Sequence, residues 1–375
     1  MKFPKKLQQK LSHRKQANAL RSLQSASNLI DFYSNDYLGF AQSEVIFNRT
    51  HELLVNNNIK INGATGSRLI SGNHPLYEAT EKIIADFHNA EKALLFNSGY
   101  DANVGFFSSV PQRGDVILYD ELSHASIRDG IQLSNAKAYK FKHNNLTHLE
   151  EILERSMYDN IYIVTESVFS MDGDSPDLVS LVNIAKKYNA YVIIDEAHAL
   201  GVFGEKGMGL VQQSEVEHAI FARIITYGKA LGCHGATILG SKELYEYLVN
   251  FSRSFIYTTG LSPHAIATIQ VAYQYMQPSH ISELHQKITH FTNEVQRLQL
   301  TDSFIESTSA IHCYLISNTN KAKYISQQLQ KKGFNVKSIL SPTVPEGKER
   351  IRFCLHRFNS KEQITAILEA LASLV

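Results

Sequence analysis

The sequence predicts an α/β fold: a parallel sheet covered by helices, followed by a smaller α+β unit. Two observations carry this. Continuous apolar runs, typical of strands buried on both faces, alternate with segments of helical periodicity. At 375 residues the chain can also bury a large core and divide into two or three structural units.

The elements follow in order. Residues 5–23 read as a polar, weakly amphipathic helix. The basic cluster Lys2, Lys5, Lys6, Lys10, Arg14 and Lys15 reads as a solvated helix face. Leu76, Thr80, Ile83, Ile84 and Phe87 recur at helical spacing, and KALLF (92–96) follows as a strand. VILY (116–119) is strand-like and 124–134 helical. NIYIVTE (160–166), AYVIID (190–195) and RIITY (223–227) are buried strands, with a helix over 177–188. A boundary falls near Gln277–Pro278. Beyond it the pattern gives a helix (280–300), the strand HCYLIS (312–317), a helix (320–332), the strand RIRFCL (350–355) and a last helix (360–374).

Composition narrows the function classes. Apolar residues make up 43% and charged residues 19%, an ordinary globular balance. A formal net charge of +1 gives no global electrostatic case for nucleic acid or an anionic membrane. Cys233, Cys313 and Cys354 are scattered without metal-ligand spacing and suit a reducing compartment. No apolar run approaches a membrane span, and MKFPKKLQQKL lacks the apolar core of an export signal. A cytoplasmic location is expected.

Five motifs carry chemistry. YVIIDEAH (191–198) puts an acid at the carboxyl end of a buried strand, where open α/β sheets bind ligands. In a nucleic-acid-dependent ATPase, DEAH would hold magnesium, but that needs an upstream GxxxxGK[ST] loop, and none exists. In a pyridoxal-phosphate site, a carboxylate keeps the pyridine nitrogen protonated, so the ring accepts electrons; Asp195 suits that task. The plain alternative is a helix-capping Asp. ITYGKALG (225–232) sets Lys229 just after a buried strand, between Gly228 and Gly232, one βα step beyond Asp195. A Schiff-base lysine needs such an approach and a lowered pKa, although a lone lysine is more often a surface residue. FNSGYDAN (96–103) is a strand, a glycine turn and a helix start, which can seat a phosphate with Tyr100 packed beside it; alone, it is a common turn. In DELSHAS (120–126), His124 alone reads best as a core or capping histidine. ESVFSMDGD (166–174) ends a buried strand in Ser170 and a polar turn that lacks the ligand set of a calcium loop.

Taken together, these motifs resemble the α-oxoamine synthase family of fold-type-I pyridoxal-phosphate enzymes. The resemblance also runs through NDYLGF (35–40), GATGSRLISGNHPLYEATE (63–81), DEAHALGVFGEKGMG (195–209), RSFIYTTGLSP (253–263) and SPTVPEGKERIRF (341–353). It implies a mostly parallel seven-stranded sheet in a large domain (41–277), an N-terminal helical segment (1–40) and a small α+β domain (278–375). It implies pyridoxal 5′-phosphate as cofactor, held by Lys229 as a Schiff base, with Lys229 later moving the α-proton. By the same resemblance Asp195 pairs with the pyridine nitrogen and His124 stacks on the ring. His198, with Ser170, bonds the phenolic oxygen region. Gly99, Tyr100 and Thr226 lie at the phosphate. Thr258 and Thr259 resemble a segment that reaches a neighbouring subunit's phosphate, which implies a homodimer. Arg352, Arg21 and Asn35 are implied for substrate carboxylates, and Thr343 for the substrate side of the small domain.

The implied reaction joins an amino acid to an acyl-CoA or acyl-carrier thioester with loss of CO₂. L-Alanine and a pimeloyl thioester are favoured; glycine with an acetyl donor and serine with a long-acyl donor are the alternatives. No nucleic-acid or membrane partner is expected. Cys233-His234 and Arg68 depart from the usual family pattern, at positions expected to lie away from the core chemistry.

Overall fold

A computed structural model describes residues 3–16, 20, 21, 23, 28–155 and 158–375. Seven strands form one sheet: β1 (Lys92–Phe96), β2 (Val116–Asp120), β3 (Lys137–Phe141), β4 (Ile161–Glu166), β5 (Tyr191–Asp195), β6 (Ala222–Thr226) and β7 (Ala236–Gly240). Their order is β1-β7-β6-β5-β4-β2-β3. β7 runs antiparallel to both neighbours, and every other pairing is parallel. The expected mostly parallel seven-stranded sheet is therefore present.

The apolar runs explain the layering. Every residue of β4 is buried. Successive strand residues point to opposite faces. Thus Val164 and Ile193 join Phe106, Phe107 and Ile127 in one apolar layer, while Ile163 and Ile194 join Leu118, Leu149 and Leu181 in the other. Helices cover both layers. The Ala125–Gln132 helix approaches the Gly99–Ser109 helix so closely that a Cβ on Gly130 would stand 2.9 Å from the Asn103 carbonyl oxygen. That contact locks the two helices against one another.

A second sheet, in the order β9-β10-β8, contains β8 (Ile311–Leu315), β9 (Lys337–Ile339) and β10 (Arg350–Cys354), all antiparallel. Helices Pro278–Arg297, Thr319–Lys331 and Lys361–Ala372 accompany it. The N-terminal segment is stitched to this sheet. Ile30–Asp31 pairs in parallel with Phe334–Asn335, and Cys354 N–H donates to the Phe32 carbonyl at 2.9 Å.

Some expectations need correction. The helix expected over 5–23 spans only Lys5–Gln16 and buries none of its residues; 17–19 and 22 lie outside the described residues. Lys2 of the basic cluster also lies outside them. The sequence patterns do not anticipate β3 and β7, nor helices Glu44–Asn56, Lys242–Phe251 and Pro263–Tyr275. Among the described residues, no helix is long and apolar enough to cross a membrane.

Candidate active site

The carboxyl ends of the parallel strands converge on one cleft of about 280 Å³. β5 delivers Asp195, β4 delivers Glu166, β6 delivers Thr226 and then Lys229, and the turn after β2 delivers His124. This is where an open α/β sheet opens to ligands.

Asp195 is buried, and both carboxylate oxygens are held: Oδ2 accepts from Asn103 Nδ2 at 2.8 Å and Oδ1 from Ala197 N–H at 2.9 Å. The same Asn103 amide nitrogen donates to Ser126 Oγ at 3.0 Å, and Ser126 Oγ lies 2.7 Å from His124 Nδ1. His124 caps its helix by accepting from Ser126 N–H. The plain capping reading and exposure to the cleft are therefore compatible.

Glu196, the next residue of DEAH, turns the other way. It forms a buried ion pair with Arg223 on β6 at 2.6 Å and accepts from Val211 N–H at 2.9 Å. It serves the fold, whereas Asp195 and His198 face the cleft.

Lys229 keeps part of its surface open to the cleft, but its amine is ringed by protein. Burial lowers its pKa to about 8, against the pull of Asp195 and Glu166 and with help from Arg352. His198 is held well below the ordinary imidazole range by burial and by the cations Lys229 and Arg352. Its Nδ1 lies 2.7 Å from Tyr37 Oη, and Tyr37 donates to Asn35 Oδ1 at 3.2 Å. Arg352 Nη2 reaches the same Asn35 oxygen at 2.9 Å. A chain of contacts thus runs from His198 to β10.

Glu166 opens the ESVFSMDGD motif, but the sequence reading gives it no role. In the structure it pairs in register with Asp195 across β4 and β5 and accepts His124 N–H at 2.6 Å. Burial and the nearby Asp195 charge push its pKa well above the carboxylate range. The sequence does hold a signal for it: Glu166 ends an apolar strand just as Asp195 does. Asn103, Ser126 and Tyr37 likewise lie within the motifs, and only the fold shows what they do.

At the glycine turn, Ser98 caps the Gly99–Ser109 helix by accepting Asp101 N–H, and the amides of Gly99 and Tyr100 lie at its start, outside the intrahelical ladder. A Cβ on Gly99 would stand 2.5 Å from Thr226 Cγ2, so only glycine brings backbone this close. Tyr100 is exposed and donates to Asp129 at 2.7 Å.

Other expected residues lie elsewhere. Ser170 and Arg352 are not among the cleft-lining residues; Ser170 meets the network through its carbonyl, which accepts Arg352 Nε at 2.6 Å. Thr258 and Thr259 stand beside the glycine turn, where Asn97 Nδ2 donates to Thr258 Oγ1 at 3.0 Å and to the Thr259 carbonyl at 2.7 Å. Arg21 and Thr343 line a separate cleft of about 490 Å³ near β9. His234, expected to be peripheral, lines the Lys229 cleft. Arg68 is ion-paired with Glu81 at 2.5 Å and stacks on Tyr77.

The residues present fit pyridoxal phosphate. Helix-start amides can take the phosphate, Asp195 can face a ring nitrogen, and a partly enclosed lysine of lowered pKa can take the aldehyde. Asn103 Oδ1 is buried with no protein partner among the described residues. No cluster of metal ligands occurs among the described residues.

Comparison with known proteins agrees. The model of aminotransferase class I and II matches residues 27–371. The 8-amino-7-oxononanoate synthase of Emericella nidulans is 39% identical over 371 residues, covering 92% of this chain and 89% of its own. Among solved structures, a Serine Palmitoyltransferase from S. paucimobilis with bound PLP–myriocin aldimine superposes with a TM-score of 0.89 at 25% identity, covering 99% and 96% of the two chains. The 8-amino-7-oxononanoate synthase of Francisella tularensis gives 0.78 at 28% identity, covering 92% and 97%. The chain belongs to the class I and II aminotransferase family and, within it, to the pyridoxal-phosphate-dependent C-acyltransferases called α-oxoamine synthases.

Proposed function

We propose that this enzyme condenses L-alanine with a pimeloyl thioester, giving 8-amino-7-oxononanoate, free thiol and CO₂. The observation that carries this reading is the 39% identity, over 92% of the chain, to the 8-amino-7-oxononanoate synthase of Emericella nidulans.

When bound, pyridoxal phosphate supplies an electron sink for negative charge at the amino acid's α-carbon. The chain's own groups do the rest. Lys229 would hold the cofactor, and its amine, once freed by the incoming amino acid, would take the proton from the α-carbon and later return one; a pKa near 8 suits both directions. Asp195, oriented by Asn103 and Ala197, would pair with the pyridine nitrogen and keep it protonated. His124 would cover the ring face, and neutral His198, with Ser170, would serve the phenolic oxygen. Gly99, Tyr100 and Thr226 would hold the phosphate, and Thr258 and Thr259 would contribute to the phosphate of a second copy in a homodimer. Arg352 offers its guanidinium to the substrate carboxylate, with Asn35, Arg21 and Thr343 on the substrate side. Residues 1–40, 41–277 and 278–375 act as the helical segment, cofactor unit and substrate-side unit. The free cysteines fit a reducing, cytoplasmic setting.

A second reading is favoured by one observation: the serine palmitoyltransferase superposes better, 0.89 against 0.78. Thiol release distinguishes the two. Alanine, glycine and serine are each paired with pimeloyl-, acetyl- and palmitoyl-CoA in steady state. The highest kcat/KM is expected for alanine with pimeloyl-CoA. A preference for serine with palmitoyl-CoA, or for glycine with acetyl-CoA, would replace the assignment.

A further inference from the structure

His143 is a titratable residue that the proposed chemistry leaves without a task. It lies just after β3, and both of its ring nitrogens face carboxylates. Nδ1 is 2.9 Å from Asp120 Oδ1 and Nε2 is 2.7 Å from Asp174 Oδ2. A carboxylate only accepts, so the ring satisfies both partners only when both nitrogens carry hydrogen, as a cation. Burial works to lower its pKa, but the hydrogen bonds to the two carboxylates raise it to about 10.

The two partners differ in kind. Asp120 ends β2 and is buried, and its oxygens also accept the N–H groups of Leu122 at 2.8 Å and Asn144 at 2.9 Å. It is a fixed post on the large sheet. Asp174 closes the turn after β4: its carbonyl accepts Phe169 N–H at 3.0 Å, and the Phe169 carbonyl accepts Gly173 N–H at 2.8 Å. His143 touches both ends of this turn, because its ring also meets the Phe169 ring edge to face, with centres 4.4 Å apart. Asp174 Oδ1 is buried with no protein partner among the described residues. The anchoring therefore falls to Oδ2, which His143 shares with Asn144 Nδ2 at 2.7 Å. The far side of the turn meets the second sheet. The Ser170 carbonyl accepts Arg352 Nε at 2.6 Å, the Met171 carbonyl accepts Arg350 Nη1 at 3.0 Å, and Asp172 pairs with Arg350.

We propose that His143 is a positioning residue for Arg352: by gripping both ends of the 169–174 turn, it sets where the Ser170 carbonyl holds the guanidinium that meets the amino acid's carboxylate. The inference rests on the role given to Arg352 above. A guanidinium has donors and no acceptor, so the oxygens it binds set its aim. Arg352 binds Asn35 Oδ1 in the N-terminal segment and the Ser170 carbonyl in this turn. The second of these is main chain and moves only with the turn. His143 is not among the residues lining the Lys229 cleft, so its effect passes through the turn.

The test measures binding rather than turnover. Protein loaded with pyridoxal phosphate is titrated with L-alanine, glycine and L-serine, and with ethylamine, methylamine and ethanolamine, the amines that lack their carboxylates. The change in cofactor absorbance gives each Kd. Wild type binds its preferred amino acid about tenfold or more tightly than the matching amine. His143→Gln, which keeps a hydrogen-bonding side chain but no charge, shrinks that margin about fivefold by weakening the amino acid and not the amine. Asp174→Asn, nearly isosteric, shifts the margin the same way and serves if His143→Gln does not fold. Arg352→Gln abolishes the margin, and adding His143→Gln to it changes the margin no further. An unchanged margin in whichever of the His143 and Asp174 variants fold would overturn the proposal. So would equal weakening of amino acid and amine, the mark of general loosening. If Arg352→Gln itself keeps the margin, the carboxylate role of Arg352 falls and takes the proposal with it; if Arg352→Gln abolishes it and the other two variants do not move it, only the proposal falls.

Discussion

Lys229 and Lys337 both lie near Arg352, yet their surroundings suit them to opposite tasks. Lys229 has its amine enclosed at the carboxyl edge of the large sheet, and burial brings its pKa to about 8. Lys337 lies on the small sheet, half-buried, opposite Arg352 on the neighbouring strand, with its amine 4.4 Å from the centre of the Tyr33 ring. The first environment makes a lysine a nucleophile and base; the second suits it to packing as a cation over a ring. His143 sharpens the rule. It is largely enclosed, but Asp120 and Asp174 flank it at 2.9 and 2.7 Å. Burial alone would lower its pKa; the two carboxylates outweigh that and raise it to about 10. Partners, not enclosure alone, decide the charge state.

The contrast can be broken at its carboxylate. Asp195→Asn keeps the shape and removes the charge. Turnover with the best substrate pair should fall about 10²–10³-fold, the scale on which a preorganised charge at a reacting centre acts. A drop of less than about threefold in steady-state kcat would show that Asp195 does not support the chemistry.

A smaller effect concerns pH. Only the neutral amine of Lys229 can attack the cofactor aldehyde. With its pKa lowered from 10.5 to about 8, the loading rate of cofactor-stripped protein should rise with pH and be half-maximal near 8. Asp195 raises this pKa, so the midpoint in Asp195→Asn should move lower. Stopped-flow absorbance across pH 6–10 reads both midpoints, the range being chosen to bracket about 8. A loading rate still rising without a midpoint up to pH 10 would place Lys229 in the same class as an open lysine.

The sequence makes the parallel strands legible because burial on both faces demands apolar runs, as in IYIVTE and YVIID. It also leads to Asp195 and Lys229 through their positions at strand ends. β3 escapes because KAYKF lies at the sheet edge, where only Phe141 is buried and lysines face solvent. β7 escapes because it follows the lysine turn directly, flanked by Gly235 and ending in Gly240, and reverses direction without a crossover helix. Glu166 escapes because a pyridine nitrogen calls for a single acid, whereas in-register pairing with Asp195 brings two to the cleft. The separation of Arg21 and Thr343 from the Lys229 cleft depends on how the N-terminal segment and β9 pack, which a linear motif does not encode.

The central claim is that Lys229 is the residue that carries pyridoxal phosphate. The loaded protein is reduced with sodium borohydride, digested, and the peptides are mapped by mass spectrometry. A reduced pyridoxyl-phosphate label is expected on Lys229 in ITYGKALG and on no other lysine. An active, loaded protein whose label sits on a different lysine, with Lys229 unmodified, would contradict it.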